Sequence, residues 1–184
     1  MSEQTVSIDT VQPAAVMNLH HQSKPGARCI LIDLAAQSLV LLKGTRVLAR
    51  YPVSTARKGH GEQRDSGCTP RGLHRVRIRI GAGCLEGTVF VGRRVTGERY
   101  DARLAARNPE RDWILTRILW LTGLESGRNR GGRVDTLRRY IYIHGCPDTE
   151  PIGTPVSHGC IRMRNRDLVK LFDLVPTGTL VEIR

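Results

Sequence analysis

Between Arg28 and Val53 the chain carries three apolar runs, Cys29 to Leu34, Ser38 to Leu42 and Val47 to Val53, separated only by Ala35 to Gln37 and Lys43 to Arg46. Each run has strand length and the breaks suit hairpins, so the spacing predicts an antiparallel meander. Leu73 to Ile80 then alternates, with Val76, Ile78 and Ile80 on one face and Arg75, Arg77 and Arg79 on the other. That pattern predicts a half-buried strand with a basic outer face. Thr88 to Val91 is another strand candidate, residues 93–112 read as a charged loop or short helix, and Trp113 to Leu121 fits either a strand or a helix. Arg139 to His144 reads as a strand with Tyr140, Tyr142 and His144 on one face, and Thr179 to Ile183 as the last strand. Only one segment reads firmly as a helix. Leu168, Leu171, Phe172 and Val175 recur at helical spacing, Asn165 can cap them, and Pro176 and Gly178 stop them. The expected class is all-β, a mainly antiparallel sandwich or barrel with one or two accessory helices.

A chain of 184 residues accommodates one such domain. Residues 1–26 are polar, contain Pro13 and Pro25 and show no period, so a flexible N-terminal arm over 1–27 is expected ahead of a domain over 28–184. No apolar stretch is long enough to span a membrane, and no basic patch precedes an apolar run near the N-terminus. The expected location is cytoplasmic, with periplasmic export by an unrecognised route as the alternative. The five cysteines, Cys29, Cys68, Cys84, Cys146 and Cys160, are irregularly spaced and odd in number, which fits free thiols better than a disulfide framework. The net charge is +12. Its predominance of arginine over lysine favours fork-like contacts with carboxylates or phosphates. An anionic small ligand is expected rather than nucleic acid.

The reactive side chains concentrate in one region, where His144-Gly145-Cys146 is followed after a loop by Ser157-His158-Gly159-Cys160-Ile161-Arg162. In one reading Cys160 is a nucleophile, deprotonated by His144 at the end of a stiff strand or, second in rank, by His158. Arg162 and its neighbouring arginines favour thiolate, and Gly159 permits a tight turn with amides aimed at a developing oxyanion. In another, His144, Cys146, His158 and Cys160 bind zinc as two His-x-Cys pairs, although structural zinc sites usually space their ligands further apart. Buried cysteines with satisfied histidines are the third reading.

The run Ile143-His144-Gly145, followed by Ser157-His158-Gly159-Cys160-Ile161-Arg162-Met163, resembles the signature of the L,D-transpeptidase (YkuD-like) family. Upstream, Thr69-Pro70-Arg71-Gly72-Leu73 is similar to that family's Thr-Pro-x-Gly turn before a strand. The resemblance covers 28–184 as a catalytic domain. It implies Cys160 as nucleophile, His144 as general base, and His158 or the Gly159 carbonyl as the element orienting the base. Arg162, Ser157 and Tyr142 are the implied substrate-binding residues, Ser157 chiefly in support of its loop. No cofactor or metal is implied.

The implied reaction is attack on the peptide carbonyl before a terminal D-amino acid in a murein stem tetrapeptide, forming an acyl-thioester, and carbapenems are expected to acylate the same cysteine. Water gives L,D-carboxypeptidase action on recycled or precursor muropeptides, as in short signal-less relatives; a stem amine gives 3-3 peptidoglycan cross-links. The expected cytoplasmic location favours water. A zinc- or nucleic-acid-binding module on an inactive scaffold is the remaining alternative. Cys146 stands where relatives often carry threonine and His74 where an aromatic often follows the upstream turn, so a redox pairing of Cys146 with Cys160 and an altered pocket near His74 are both to be checked.

Overall fold

The computed structural model describes Leu19, Gln22 and residues 25–184. Most of the expected arm therefore lies outside the described residues. The chain forms one curled sheet with two helices. Its strands are β1 (Arg28–Asp33), β2 (Ser38–Lys43), β3 (Arg46–Pro52), β4 (Gly72–Ile80), β5 (Thr88–Val91), β6 (Arg94–Arg99), β7 (Ile114–Gly123), β8 (Tyr142–Cys146), β9 (Ile161–Arg164) and β10 (Leu180–Ile183). The helices are α1 (Ala102–Arg107) and α2 (Asn165–Leu174). The sheet order is β3-β2-β1-β10-β4-β7-β5-β6, with β8 also pairing β7 and β9 pairing β8. Only β1 with β10 and β8 with β9 run parallel. The all-β expectation with accessory helices holds.

The first two strands are continuous apolar runs because both of their faces are covered. Ile30, Ile32, Leu39 and Leu41 join the main core, which α2 closes with Leu168, Leu171 and Phe172. Cys29, Leu31, Val40 and Leu42 pack on the opposite face, beneath Leu19. Residue β-propensity settles Trp113 to Leu121 in favour of the long central strand β7.

Three local expectations are corrected. In β4 a bulge between Val76 and Ile78 reverses the alternation, leaving Ile78 exposed and turning Arg79 toward α2. The Arg79 guanidinium then lies 4.1 Å from the Phe172 ring and donates to the Phe172 carbonyl at 2.7 Å, a cation at the helix's C-terminal end. Residues 94–99 form an edge strand, β6, whose charges had masked it. Asn165 does not cap α2: its side chain accepts from Thr116 Oγ1 at 2.6 Å and donates to the Cys146 carbonyl at 2.9 Å. It thereby clamps β7, β8 and the start of the helix together.

Candidate active site

Register brings the candidate residues together. Parallel pairing of β8 with β9 sets Ile143 beside Ile161 and His144 beside Arg162. Side chains two apart on a strand share a face, so His144 and Tyr142 project on the same side as Arg162 and Cys160. Cys160 immediately precedes β9, so the pairing of β8 with β9 brings His144 and Cys160 to the same strand junction. Both line a cavity of about 290 Å³, with Tyr140, Tyr142, Ser157, His158, Arg162, Arg93 and Asp112 among the remaining lining residues.

The sulfur is held by backbone. Cys160 Sγ donates to the Tyr140 carbonyl at 3.4 Å and accepts from the Tyr142 N–H at 3.4 Å. Burial pushes its thiol up to about 12. His144 is 1% exposed, and burial lowers its imidazole to about 4. The resting pair is therefore neutral thiol beside neutral imidazole. His144 Nδ1 lies 2.9 Å from the Gly145 carbonyl. A carbonyl only accepts, so Nδ1 carries the hydrogen and Nε2 keeps a lone pair for a proton. Gly145 is required for this arrangement: a Cβ there would collide with Asn165 Oδ1 and the Leu115 carbonyl.

The orienting group at the base thus differs from the one expected. Gly145 meets His144, while the Gly159 carbonyl accepts from the Thr69 hydroxyl at 3.0 Å. His158 is exposed and its Nδ1 faces Asp112 Oδ2 at 3.4 Å. The Gly159 amide is also engaged, donating to Ser157 Oγ at 3.2 Å. Gly159 itself has φ 136 and is packed so that a Cβ would press on the Cys68 carbonyl and Ile141. Ser157 Oγ donates to the Cys160 carbonyl at 2.6 Å, so this hydroxyl braces the loop instead of facing a ligand.

Arg162 lines the cavity but is not free to receive a substrate carboxylate. One guanidinium nitrogen donates to Glu150 and another to Asp112 Oδ1 at 2.7 Å. Burial alone would raise the Asp112 carboxyl, yet Arg162, His144 and His158 together hold it below the usual range. Asp112 was not singled out in the sequence because nothing in its charged segment distinguishes it before the fold sets it beside Arg162. Thr69 also gained its role only in three dimensions; it accepts from the Ala56 amide at 3.0 Å while donating to Gly159.

The zinc constellation is not assembled: among the described residues no three such donors converge. Cys146 is fully buried and its Sγ turns to the Met163 carbonyl at 3.5 Å, a packing position away from Cys160's carbonyl and amide partners. His74 is fully buried behind the upstream turn, against the Gly72 carbonyl and the Thr136 hydroxyl, and does not line the cavity. Burial lowers it to about 4. The glycine- and arginine-rich loop after β7 is anchored by buried Asn129, whose amide donates to the Arg71 and Leu73 carbonyls. No helix among the described residues is long and apolar enough to cross a membrane.

Comparison with known proteins bears on the family and the fold. The sequence matches the L,D-transpeptidase catalytic domain family, YkuD, over residues 27–183. A Bacillus licheniformis protein named as the L,D-transpeptidase YkuD is 48% identical over 46 residues, 25% of this chain and 28% of the relative. A Bacillus subtilis protein named as the L,D-transpeptidase YqjB is 28% identical over 159 residues, covering 86% of this chain and 72% of the relative. L,D-transpeptidase 3 of Mycobacterium tuberculosis, solved with a faropenem-derived adduct, shares the fold with TM-score 0.54 and 16% identity, over 86% of this chain and 60% of that one. The alignment thus takes in about a quarter of the YkuD relative's length and less than two thirds of the mycobacterial chain. With its family match running through nearly all the described residues, the chain belongs to the L,D-transpeptidase catalytic domain family.

Proposed function

We propose that the protein is a peptidoglycan-modifying cysteine acyltransferase that cleaves the L,D bond before the terminal D-alanine of a murein stem tetrapeptide, with water as the acceptor. The carrying observation is that Cys160 and His144 face one cavity while Gly145 fixes the imidazole tautomer that leaves Nε2 able to take a proton.

In this reaction Cys160 Sγ bonds to the carbonyl carbon of the third stem residue as its proton passes to His144 Nε2. Because thiol and imidazole start neutral, transfer accompanies attack instead of preceding it. With the Gly159 amide tied to Ser157, the Cys160 amide and the Tyr142 N–H are the backbone donors at the reacting centre. The carbon–nitrogen bond breaks, and D-alanine leaves with the proton from His144. Water then yields a proton to Nε2, its oxygen adds to the thioester carbonyl, and Sγ departs and regains its proton.

Water is preferred to a stem amine because cytoplasmic residence, which we also propose, places the enzyme with free muropeptides and away from assembled wall. A net charge of +12 suits such anionic peptides. Cross-linking remains the second reading. It is favoured by the family name itself, which describes transfer to an amine.

Product analysis with a defined tetrapeptide, with and without an added stem amine, separates the two. The proposal expects tripeptide and free D-alanine under both conditions. Intact tetrapeptide without the amine, and a 3-3 linked dimer with it, would replace hydrolysis by transpeptidation. Fractionation of the native host tests location, with recovery solely from the periplasm counting against it.

A further inference from the structure

The cavity holds a second arginine whose setting is unlike that of Arg162. Strands β5 and β6 are joined by just Gly92 and Arg93, with φ of 55 and 68. Two successive left-handed residues define the tight hairpin turn in which glycine, asparagine or aspartate is normally found. An arginine held there occupies a costly conformation, and strain of this kind tends to persist where a side chain has a task.

The turn delivers the guanidinium to an aromatic cradle. Arg93 lies 4.7 Å from the Tyr140 ring and 4.8 Å from the Trp120 ring, and its Nη1 donates to the Tyr142 hydroxyl at 3.2 Å. The same two tyrosines hold the nucleophile, Tyr140 through its carbonyl and Tyr142 through its N–H. The cation is thus one residue removed from the sulfur along two separate routes. Arg162 has Asp112 and Glu150 as ion-pair partners, whereas among the described residues no carboxylate pairs with Arg93. A flat aromatic bed leaves the guanidinium edge available for the fork geometry that binds a carboxylate.

We propose that Arg93 is the carboxylate-binding residue of this cleft and sets its preference for an anionic peptide donor. This rests on the reading of the cavity as a stem-peptide site. A tetrapeptide with diaminopimelate at position three offers two carboxylates near the scissile bond, at the departing D-alanine and on the third side chain, and both present the same chemistry.

The test compares wild type with Arg93→Asn, which suits the left-handed turn and removes the charge, and with Arg93→Lys, which keeps the charge without the fork. Three donors are used: the tetrapeptide acid, its C-terminal amide, and a tetrapeptide acid with lysine at position three. Arg93→Asn should raise KM for the first donor by about 10- to 100-fold with kcat changed less than about threefold. Arg93→Lys should fall between. Loss of that penalty with the amide assigns the terminal carboxylate, and loss with the lysine peptide assigns the third side chain. Equal KM values for wild type and Arg93→Asn on all three donors would overturn the proposal. If wild type turns over none of them, the stem-peptide reaction is refuted separately, and titration of the protein's tryptophan fluorescence with the tetrapeptide acid, with Trp113→Phe in both backgrounds so that Trp120 alone reports, decides on Arg93. Tighter binding to wild type than to Arg93→Asn upholds its role; equal or undetectable binding removes it.

Discussion

The hydroxyl of Thr69 donates to the carbonyl of Gly159 at 3.0 Å, joining the turn before β4 to the loop that presents Cys160. Two motifs that lie far apart in the sequence meet in one buried hydrogen bond. Thr69→Val keeps the volume but leaves the Gly159 carbonyl and the Ala56 amide without a partner, at a cost of about 1–3 kcal/mol. Thermal unfolding should show the loss, and acylation of Cys160 should slow, while Thr69→Ser restores most of both. Unchanged melting and acylation in Thr69→Val would remove the bond from the account.

Two buried neutral histidines make folding acid-sensitive. His74 and His144 both sit at about 4 in the folded chain against about 6.5 when unfolded. Above pH 6.5 neither state binds the proton and the contribution to stability is complete. As pH falls below 6.5 the unfolded chain takes up protons that the folded chain refuses until about 4, so stability declines. Between pH 7 and pH 5 the loss should be about 2 kcal/mol for each ring. Urea unfolding across that range checks it, and His74→Gln should flatten the slope by about half.

The thiol of Cys160 should behave as an ordinary protonated thiol at rest. With burial pushing it up to about 12, alkylation by iodoacetamide should rise about tenfold per pH unit from pH 6 to 9 without levelling off. Peptide mapping is needed to separate it from Cys68 and Cys84, which are also partly accessible. A plateau near pH 6 would mean a preformed thiolate.

Arg162 holds two carboxylates, Glu150 and the cleft-lining Asp112, so its removal should be more damaging than theirs. Arg162→Met leaves Asp112 and Glu150 near each other without their cation, and should cost about 1–3 kcal/mol after allowance for the exposure of Asp112. Adding Asp112→Asn and Glu150→Gln should recover much of that in denaturant unfolding. Additive losses in the triple variant would contradict the coupling.

Much of this architecture can be read from the sequence, because β1, β2, β5 and β10 carry short apolar runs or alternation that suit a sheet, while the run of β7 fitted a helix as well. The helix is equally plain in Leu168, Leu171 and Phe172. What escaped depends on pairing. The bulge in β4 arises from its fit to β7 and reverses Arg79 relative to Ile78. The edge strand β6 has little to bury and so no alternation to detect. At the site, residue type and spacing left Cys160 and His144 open between a nucleophile with its base, a zinc pair and plain burial, and the family resemblance put the first ahead, but Asp112, Thr69 and Arg93 take their roles from partners 49 to 90 positions away. Gly145, adjacent to the base, was read as part of a motif while its carbonyl is the group that fixes the imidazole.

The central claim is that the sulfur of Cys160 becomes covalently acylated. Intact-protein mass spectrometry after mixing with imipenem, followed by peptide mapping, tests it most directly. The account predicts a single adduct on Cys160, absent in Cys160→Ala and formed at least about 100-fold more slowly in His144→Ala. No adduct on the wild-type protein, or one confined to another residue, would contradict it.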